Sequence, residues 1–302
     1  MPDAVPTVPS LEVTRQEELG LERSAALEAD FVLSPYVWQA ADTYEMLVRV
    51  VNRNDDPEKK VARIHRAMSA DGLRFTMDDT PVVAPGPDER DDGGCEDPTV
   101  VLCDSGYDVY YSGYSRRSRT STLLLANGSA LEALVKRGPV LPHDSAFANA
   151  KEASVVRCDD GYRLFFEYSR NEASRIGCAT SESSHGPWRY VDCEIDPRPN
   201  SWDAWHLSPG PIIATATGTK LMFYNGATRD AHWRIGWVEL DPQCRHVTAR
   251  TGAPLVVPPP TDGDRTDIAF LASVVEVRDA LWLYYAIGDR QLMRAQVSRQ
   301  NV

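Results

Sequence analysis

The segment GGCEDPTVV (93–101) sets two adjacent carboxylates, Glu96 and Asp97, between glycines and a proline, directly before an apolar β-branched run. An Asp-Pro step marks a turn, and an acidic pair at a turn is ordinarily solvated. Neighbouring carboxyls also raise one another's pKa, and a raised carboxyl can hold and deliver a proton near neutral pH. A second charged pair, Lys151 and Glu152, stands in the same way before the run ASVV. Glu167 ends the aromatic run YRLFF, where a charge withdrawn from water needs a partner; Arg170 and Arg175 are the nearest candidates in sequence. Proton transfer and the binding of polar ligand groups are the chemistry these residues support, with turn and ion-pair roles as the alternative.

The elements that would position them repeat. A strand pattern rich in aromatic residues recurs as YEMLVRVV (44–51), YDVYYSGYS (107–115), YRLFFEYS (162–169), KLMFYNGA (220–227) and LWLYYAIG (281–288). Each copy follows a turn and another β-prone run, so each reads as a hairpin. Third and often fourth runs follow, separated by turn residues in SADGLRF, SESSHGPWRY and LDPQCRHV. Four short strands per unit, repeated five times, predict an all-β fold, a five-bladed β-propeller. A β-sandwich also has many short strands, but gives no reason for fivefold recurrence.

The last unit stops after its third strand. Its outer strand is expected from the N-terminal SLEVTRQEEL, although the glutamates there also suit a helix, and 16–30 and 126–136 have some helical character. No Gly- or Ser-rich linker divides the chain, so 1–302 reads as one domain, with 1–30 an N-terminal extension that closes the last blade. A propeller gathers the starts of its inner strands at one end of a central channel. Ser34-Pro35, Glu96-Asp97, Lys151-Glu152, Ser208-Pro209 and Phe270 are therefore expected to converge, and only two of those positions carry charge.

Composition excludes several classes. A net charge of −12, from 32 basic and 44 acidic residues, opposes attraction to nucleic acid or anionic lipid. No apolar run approaches the roughly 18 residues needed to span a bilayer, so no membrane partner is expected. The opening segment lacks a basic stretch followed by an apolar one, which reads as cytoplasmic. The six cysteines form no CxxC pair and read as buried free thiols; the six histidines show no ligand spacing, so neither metal nor cofactor is expected.

At these residues the chain resembles glycoside hydrolase family 130, five-bladed propellers that cleave β-mannosides by phosphorolysis or hydrolysis. The matching segments run from about Phe31 to Ser298. GCEDPTVV resembles the family's Glu-Asp-Pro motif, SWDAWHLSPGPII its Trp-Asp segment, and LYYAIGD its last-blade segment ending in a sugar-binding Asp; LVRV around Arg49 and SADGLRF fit the first blade. The resemblance implies that Asp97 is the general acid, acting directly or through a sugar hydroxyl. It further implies that Arg49, Glu96, Lys151, Glu152, His206, Asn225 and Asp289 bind an oligosaccharide or glycoside substrate.

The departures bear on the acceptor. Phosphorolytic members surround phosphate with Arg, Lys and His, because an anionic nucleophile needs cationic partners. Here Glu167 stands for the Arg, His206 for the Lys and Asn225 for the His. A carboxylate repels phosphate and can take a proton from water. Asp97 and Glu167 are thus paired as general acid and base of an inverting hydrolysis of a β-linked, mannose-containing substrate, an arrangement that sets carboxyls about 6.5–9.5 Å apart. Thr99 and Ser34 also depart from the family pattern, which weakens the inference to mannose. Phosphate-dependent phosphorolysis is the alternative, and a carbohydrate-binding propeller without catalysis is another. Trp202, Trp205 and Trp233 are candidates to stack on a pyranose ring. The sugar, the linkage and whether the chain forms a homo-oligomer stay open.

Overall fold

The computed structural model describes residues 10–260, 266–278, 280–288 and 290–300. Two strands open the chain, β1 (Ser10–Glu18) and β2 (Gly20–Glu22). Blade one follows as β3 (Phe31–Ala40), β4 (Thr43–Val51), β5 (Ala62–Ser69) and β6 (Arg74–Val83), with β2 lying parallel against β6. Blade two is β7 (Gly94–Cys103), β8 (Gly106–Ser115), β9 (Thr120–Gly128) and β10 (Val135–Pro139). Blade three is β11 (Lys151–Cys158), β12 (Gly161–Arg170), β13 (Ala173–Ser181) and β14 (Arg189–Val191). Blade four is β15 (His206–Ala214), β16 (Lys220–Ala227), β17 (Trp233–Leu240) and β18 (Val247–Arg250). Blade five is β19 (Ala269–Val277), β20 (Ala280–Ile287) and β21 (Gln291–Gln300). Within each blade, successive strands pair antiparallel, and the whole is a five-bladed β-propeller.

The ring is closed by β1, which runs antiparallel to β21 with Glu18 opposite Met293. The helical character of 16–30 and 126–136 is not realised. β21 offers an open edge of backbone donors and acceptors, and pairing with it outweighs the helix preference of the glutamates in β1. Arg294 adds a fork onto Glu17, at 2.9–3.0 Å. In the second segment one 3-10 turn, Leu131–Ala133, is all the helix that forms.

The second strands carry the core. Tyr110, Tyr111, Phe165, Phe166, Phe223, Tyr224, Tyr284 and Tyr285 are fully buried between neighbouring blades. Burial of each such side chain is worth about 1.5–3 kcal/mol. Blade five packs on blade one through Val275, Tyr284 and Ala286 against Val37, Met46 and Val48. Between β7 and β8, Gly106 takes φ of 124°, and a side chain there would collide with the Gly128 carbonyl.

Buried polar side chains stitch the blades to one another. The Ser273 hydroxyl accepts from the Val37 amide at 2.8 Å and donates to the Pro35 carbonyl at 3.0 Å, joining blades five and one. Tyr36 donates to the Val100 carbonyl (2.9 Å) and Thr99 to the Ala153 carbonyl (2.8 Å), joining blades one to two and two to three. These bonds fix the inner strands where their first residues converge.

Candidate active site

Four of the five inner strands slip register within one or two residues of their start, and the fifth slips slightly further along. The slips fall between Leu33 and Tyr36, Glu96 and Thr99, Lys151 and Ala153, Pro209 and Ile212, and Leu271 and Ser273. At the first three, Ser34, Asp97 and Glu152 take left-handed backbone, with φ of 52°, 49° and 49°. A bulge of this kind re-aims a side chain, and for residues other than Gly or Asn it stores strain. Here it turns all three towards a cavity of about 260 Å³ at the mouth of the channel.

Two charged clusters border that cavity. In the first, Asp97 is almost fully buried, and its Oδ1 accepts from Ser34 Oγ at 2.7 Å and faces Arg49 Nη1 at 3.5 Å. Arg49 Nη2 meets Glu96 Oε1 at 2.7 Å. In the second, the buried Glu167 sits opposite Lys151 in register, with Nζ 3.3 Å from Oε1, and Ser174 Oγ donates to the same oxygen at 2.6 Å. Lys151, rather than Arg170 or Arg175, is therefore its partner. Arg175 donates instead to the Trp205 carbonyl.

The charges set the proton inventory. Burial pushes Asp97 up, but Arg49, Lys151 and hydrogen bonds from Ser34 and Glu152 outweigh it and hold the carboxyl below its ordinary value. Glu152 moves the other way: burial, with Asp97 and Glu167 as like-charged neighbours, holds it well above its ordinary value against the pull of Lys151. Burial also raises Glu96, opposed by Arg49 and helped by Asp97. The expectation that Asp97 is the raised carboxyl is thus reversed, because the guanidinium lies on Asp97 while Glu152 faces two carboxyls. The Glu167 carboxylate, ahead of its own desolvation, holds Lys151 firmly protonated.

His206 starts β15, and its Nδ1 accepts from the Ser174 amide at 3.1 Å. That bond places the ring hydrogen on Nε2, and burial lowers the pKa, so the ring is neutral near pH 7. Its ring centroid is 5.6 Å from that of Trp233, which meets Phe270 edge-on at 5.2 Å. These rings, with Leu33, Ile268 and Ala286, make up the apolar part of the cavity lining.

Arg49, Glu96, Asp97, Lys151, Glu152, Glu167 and His206 therefore border one cavity. Asn225 does not. It is fully buried, and its amide both donates to the Leu271 carbonyl (3.2 Å) and accepts from the Leu271 amide (2.8 Å), clamping blade four to blade five. Asp289 lies outside the described residues. Of the three tryptophans only Trp233 borders the cavity. Trp202 stacks on Tyr224 at 5.4 Å, and Arg229 lies 4.8 Å over Trp205. Asp203 of the Trp-Asp segment is fully buried, 2.9 Å from Arg198 and 2.6 Å from Arg250.

Ser34 and Ser174 are the polar contacts that sequence reasoning did not assign. Ser34 was legible only as a residue at a strand mouth, and Ser174 reaches Glu167 from the third strand with no local signal. A larger cavity, about 940 Å³, lies at the far end of blade three, where Asp160 pairs with Arg163 and Arg245, and His246 with Glu194. Those five charges are taken up in these pairs, and among the described residues no Phe, Tyr or Trp borders this cavity. Among the described residues no group of three His, Cys, Asp or Glu is arranged to hold a metal ion.

A family profile described as beta-1,4-mannooligosaccharide phosphorylase, glycoside hydrolase family 130, matches residues 5–302. The chain belongs to glycoside hydrolase family 130. It is similar to a 1,2-beta-oligomannan phosphorylase of Thermoanaerobacter sp. (strain X514), 27% identical over 237 residues that cover 76% of this chain and 77% of that one. A beta-1,2-mannobiose phosphorylase of the same organism is 24% identical over 91% of this chain and 92% of its own. Among solved structures, the beta-1,2-mannobiose phosphorylase of Listeria innocua, in complex with beta-1,2-mannobiose, superposes with a TM-score of 0.75 at 20% identity, covering 98% of this chain and 93% of the other. Another, at TM-score 0.76 and 22% identity over 90% and 85%, is described as showing that the family of mannoside phosphorylases contains glycoside hydrolases that target beta-1,2 mannosidic linkages in Candida mannan. These curated relatives are named phosphorylases, and their names favour phosphorolysis over hydrolysis.

Proposed function

We propose that this family 130 enzyme cleaves a β-mannosidic bond with inversion and that its acceptor is water. The observation that carries this reading is Glu167: a buried carboxylate, held by Lys151 and Ser174, at the position where the family resemblance leads one to expect a phosphate-binding arginine. The two cations of the cavity already face carboxylates, Arg49 with Glu96 and Asp97, and Lys151 with Glu167. The ring of His206 is neutral. A phosphate dianion entering here meets carboxylate charge at each cation, whereas a water molecule meets a base.

The sugar ring lies against the wall of Trp233, His206 and Phe270, with Arg49 and Glu96 on its hydroxyls. Glu167 takes a proton from water as the water attacks the anomeric carbon. The bond to the leaving oxygen breaks with its electron pair on that oxygen, and a proton arrives from the side of Asp97. General acid–base help of this kind is worth about 10²–10⁴ in rate.

Phosphorolysis is the second reading, and the names of the relatives favour it. A panel of β-1,2-mannobiose, β-1,4-mannobiose and 4-nitrophenyl β-mannoside, followed by proton NMR of the anomeric signals, tests the proposal. Free mannose formed first as the α-anomer supports it. Release of the β-anomer overturns inversion, and no release from any member of the panel, with inorganic phosphate present as well as absent, makes the chain a binding propeller.

A further inference from the structure

We propose that Ser174 is a positioning residue of the hydrolytic site: its hydroxyl decides which oxygen of Glu167 acts as the base, and its backbone amide turns His206 so that a ring N–H is left for the substrate. This assignment rests on the hydrolysis proposed above and deepens it.

The strands β12 and β13 are joined by the two-residue turn Asn171-Glu172, with left-handed φ of 51° and 62°, which closes Arg170 against Ala173. The register that follows sets Ser174 opposite Ser169 and Glu167 opposite Ile176. Ser174 and Glu167 are therefore diagonal neighbours on one face of blade three, within reach of each other's side chains. Ser174 Oγ donates to Glu167 Oε1 at 2.6 Å, and Lys151 Nζ lies 3.3 Å from the same oxygen. Among the described residues no hydrogen bond reaches Oε2. One carboxylate oxygen is thus engaged twice, and the other, on a side chain that borders the cavity, is left to accept a proton.

The amide of Ser174 points away from β12. Because β14 pairs with β13 only from Cys178 to Thr180, that amide has no fourth-strand partner, and it donates to His206 Nδ1 of blade four at 3.1 Å. The bond fixes the ring tautomer with the hydrogen on Nε2. An imidazole held in this way is a neutral donor for a sugar hydroxyl or for the attacking water. A single serine therefore ties the base on β12 to a donor on β15, across the boundary between two blades.

Ser174 keeps its own proton throughout. The proton of the attacking water passes to Glu167 Oε2 as the water oxygen bonds to the anomeric carbon, while the Ser174 hydroxyl stays on Oε1. Ser174 does not touch the reacting atoms. Its contribution is the aim of the base, which matters in the transition state and not in substrate binding, so it belongs in kcat and not in KM.

Ser174→Ala removes the hydroxyl, keeps the amide, and so cuts one arm alone. On whichever mannoside of the panel above is hydrolysed fastest, kcat is expected to fall by about 10–10², with KM changed by less than about twofold. Ser174→Thr retains a hydroxyl and should recover most of that loss. In a Glu167→Gln background no base remains to be aimed, and there Ser174→Ala should cost less than about twofold. Nitrogen-15 NMR of the His206 ring should show Nε2 protonated and Nδ1 unprotonated. Unchanged kcat in Ser174→Ala, an equal loss in both backgrounds, or the opposite tautomer would overturn the assignment. Slow hydrolysis by Glu167→Gln beside an unimpaired Ser174→Ala removes the Ser174 assignment alone. Undiminished hydrolysis by Glu167→Gln, or a wild type that hydrolyses no mannoside, removes the base reading and the Ser174 assignment with it.

Discussion

Substituting Glu167 by glutamine separates the two acceptors. The carboxylate has two partners, Lys151 Nζ at 3.3 Å and Ser174 Oγ at 2.6 Å. Glutamine keeps the volume and can still accept from Ser174, while Lys151, a third exposed, can turn its charge to water. The stability cost is therefore expected to be about 1–2 kcal/mol, between the values for exposed and buried ion pairs. If Glu167 activates water, its loss should lower hydrolysis by about 10²–10⁴, or about 2.7–5.4 kcal/mol of barrier. The same change removes a charge from the place phosphate would occupy. At a separation of about 4 Å and an effective dielectric near 20, that repulsion is about 4 kcal/mol per unit charge, so phosphate affinity can rise by up to about 10³. Mannose release from β-1,2-mannobiose, followed against phosphate concentration for both proteins, should show hydrolysis lost and a phosphate-dependent rate gained. Undiminished hydrolysis in a folded Glu167→Gln protein would refute the reasoning and leave Glu167 as the ion-pair partner of Lys151.

Three further outcomes are expected. Asp97→Asn should abolish turnover with water and with phosphate alike, since both acceptors need the same proton on the leaving oxygen; rate measurements with each acceptor check this. Asn225→Ala should lower thermal stability by about 2–4 kcal/mol, by orphaning the amide and carbonyl of Leu271, while leaving KM close to wild type, which calorimetry and kinetics read separately. Because the Glu152 pKa is raised in the folded state, its stabilising contribution is fully present below the unfolded value of about 4.3 and is lost as pH rises through the folded value. Melting temperature should show that alkaline step in the wild type, and Glu152→Gln should not.

Much of the fold was legible because the blade repeats. The second strands expected at 107–115 and 220–227 form as Gly106–Ser115 and Lys220–Ala227, since their aromatic runs can be buried on both faces only between blades. The strand expected from SLEVTRQEEL forms, and the glutamates of β1 left a helix open as an alternative only because the edge that receives them, β21, is nearly three hundred residues away. At the site, Asp97 and Glu167 were visible as charges on otherwise apolar strands, and the structure puts both on one cavity. The depressed pKa of Asp97 was not visible, because it depends on which strands bring Arg49 and Lys151 to it. The left-handed backbone at Ser34, Asp97 and Glu152 was also hidden, since none of these residues is a glycine that would advertise it. Asn225 looked like a ligand-binding amide, and only the neighbouring blade shows that both its amide atoms bond to Leu271.

The acceptor is tested most directly by incubating the protein with β-1,2-mannobiose in buffer containing inorganic phosphate and separating the mannosyl products. A buried carboxylate at position 167, paired with Lys151, predicts mannose at a rate independent of phosphate and no mannose 1-phosphate. Mannose 1-phosphate as the main product, with no release when phosphate is omitted, would contradict the hydrolytic reading and make this chain a phosphorylase like its named relatives.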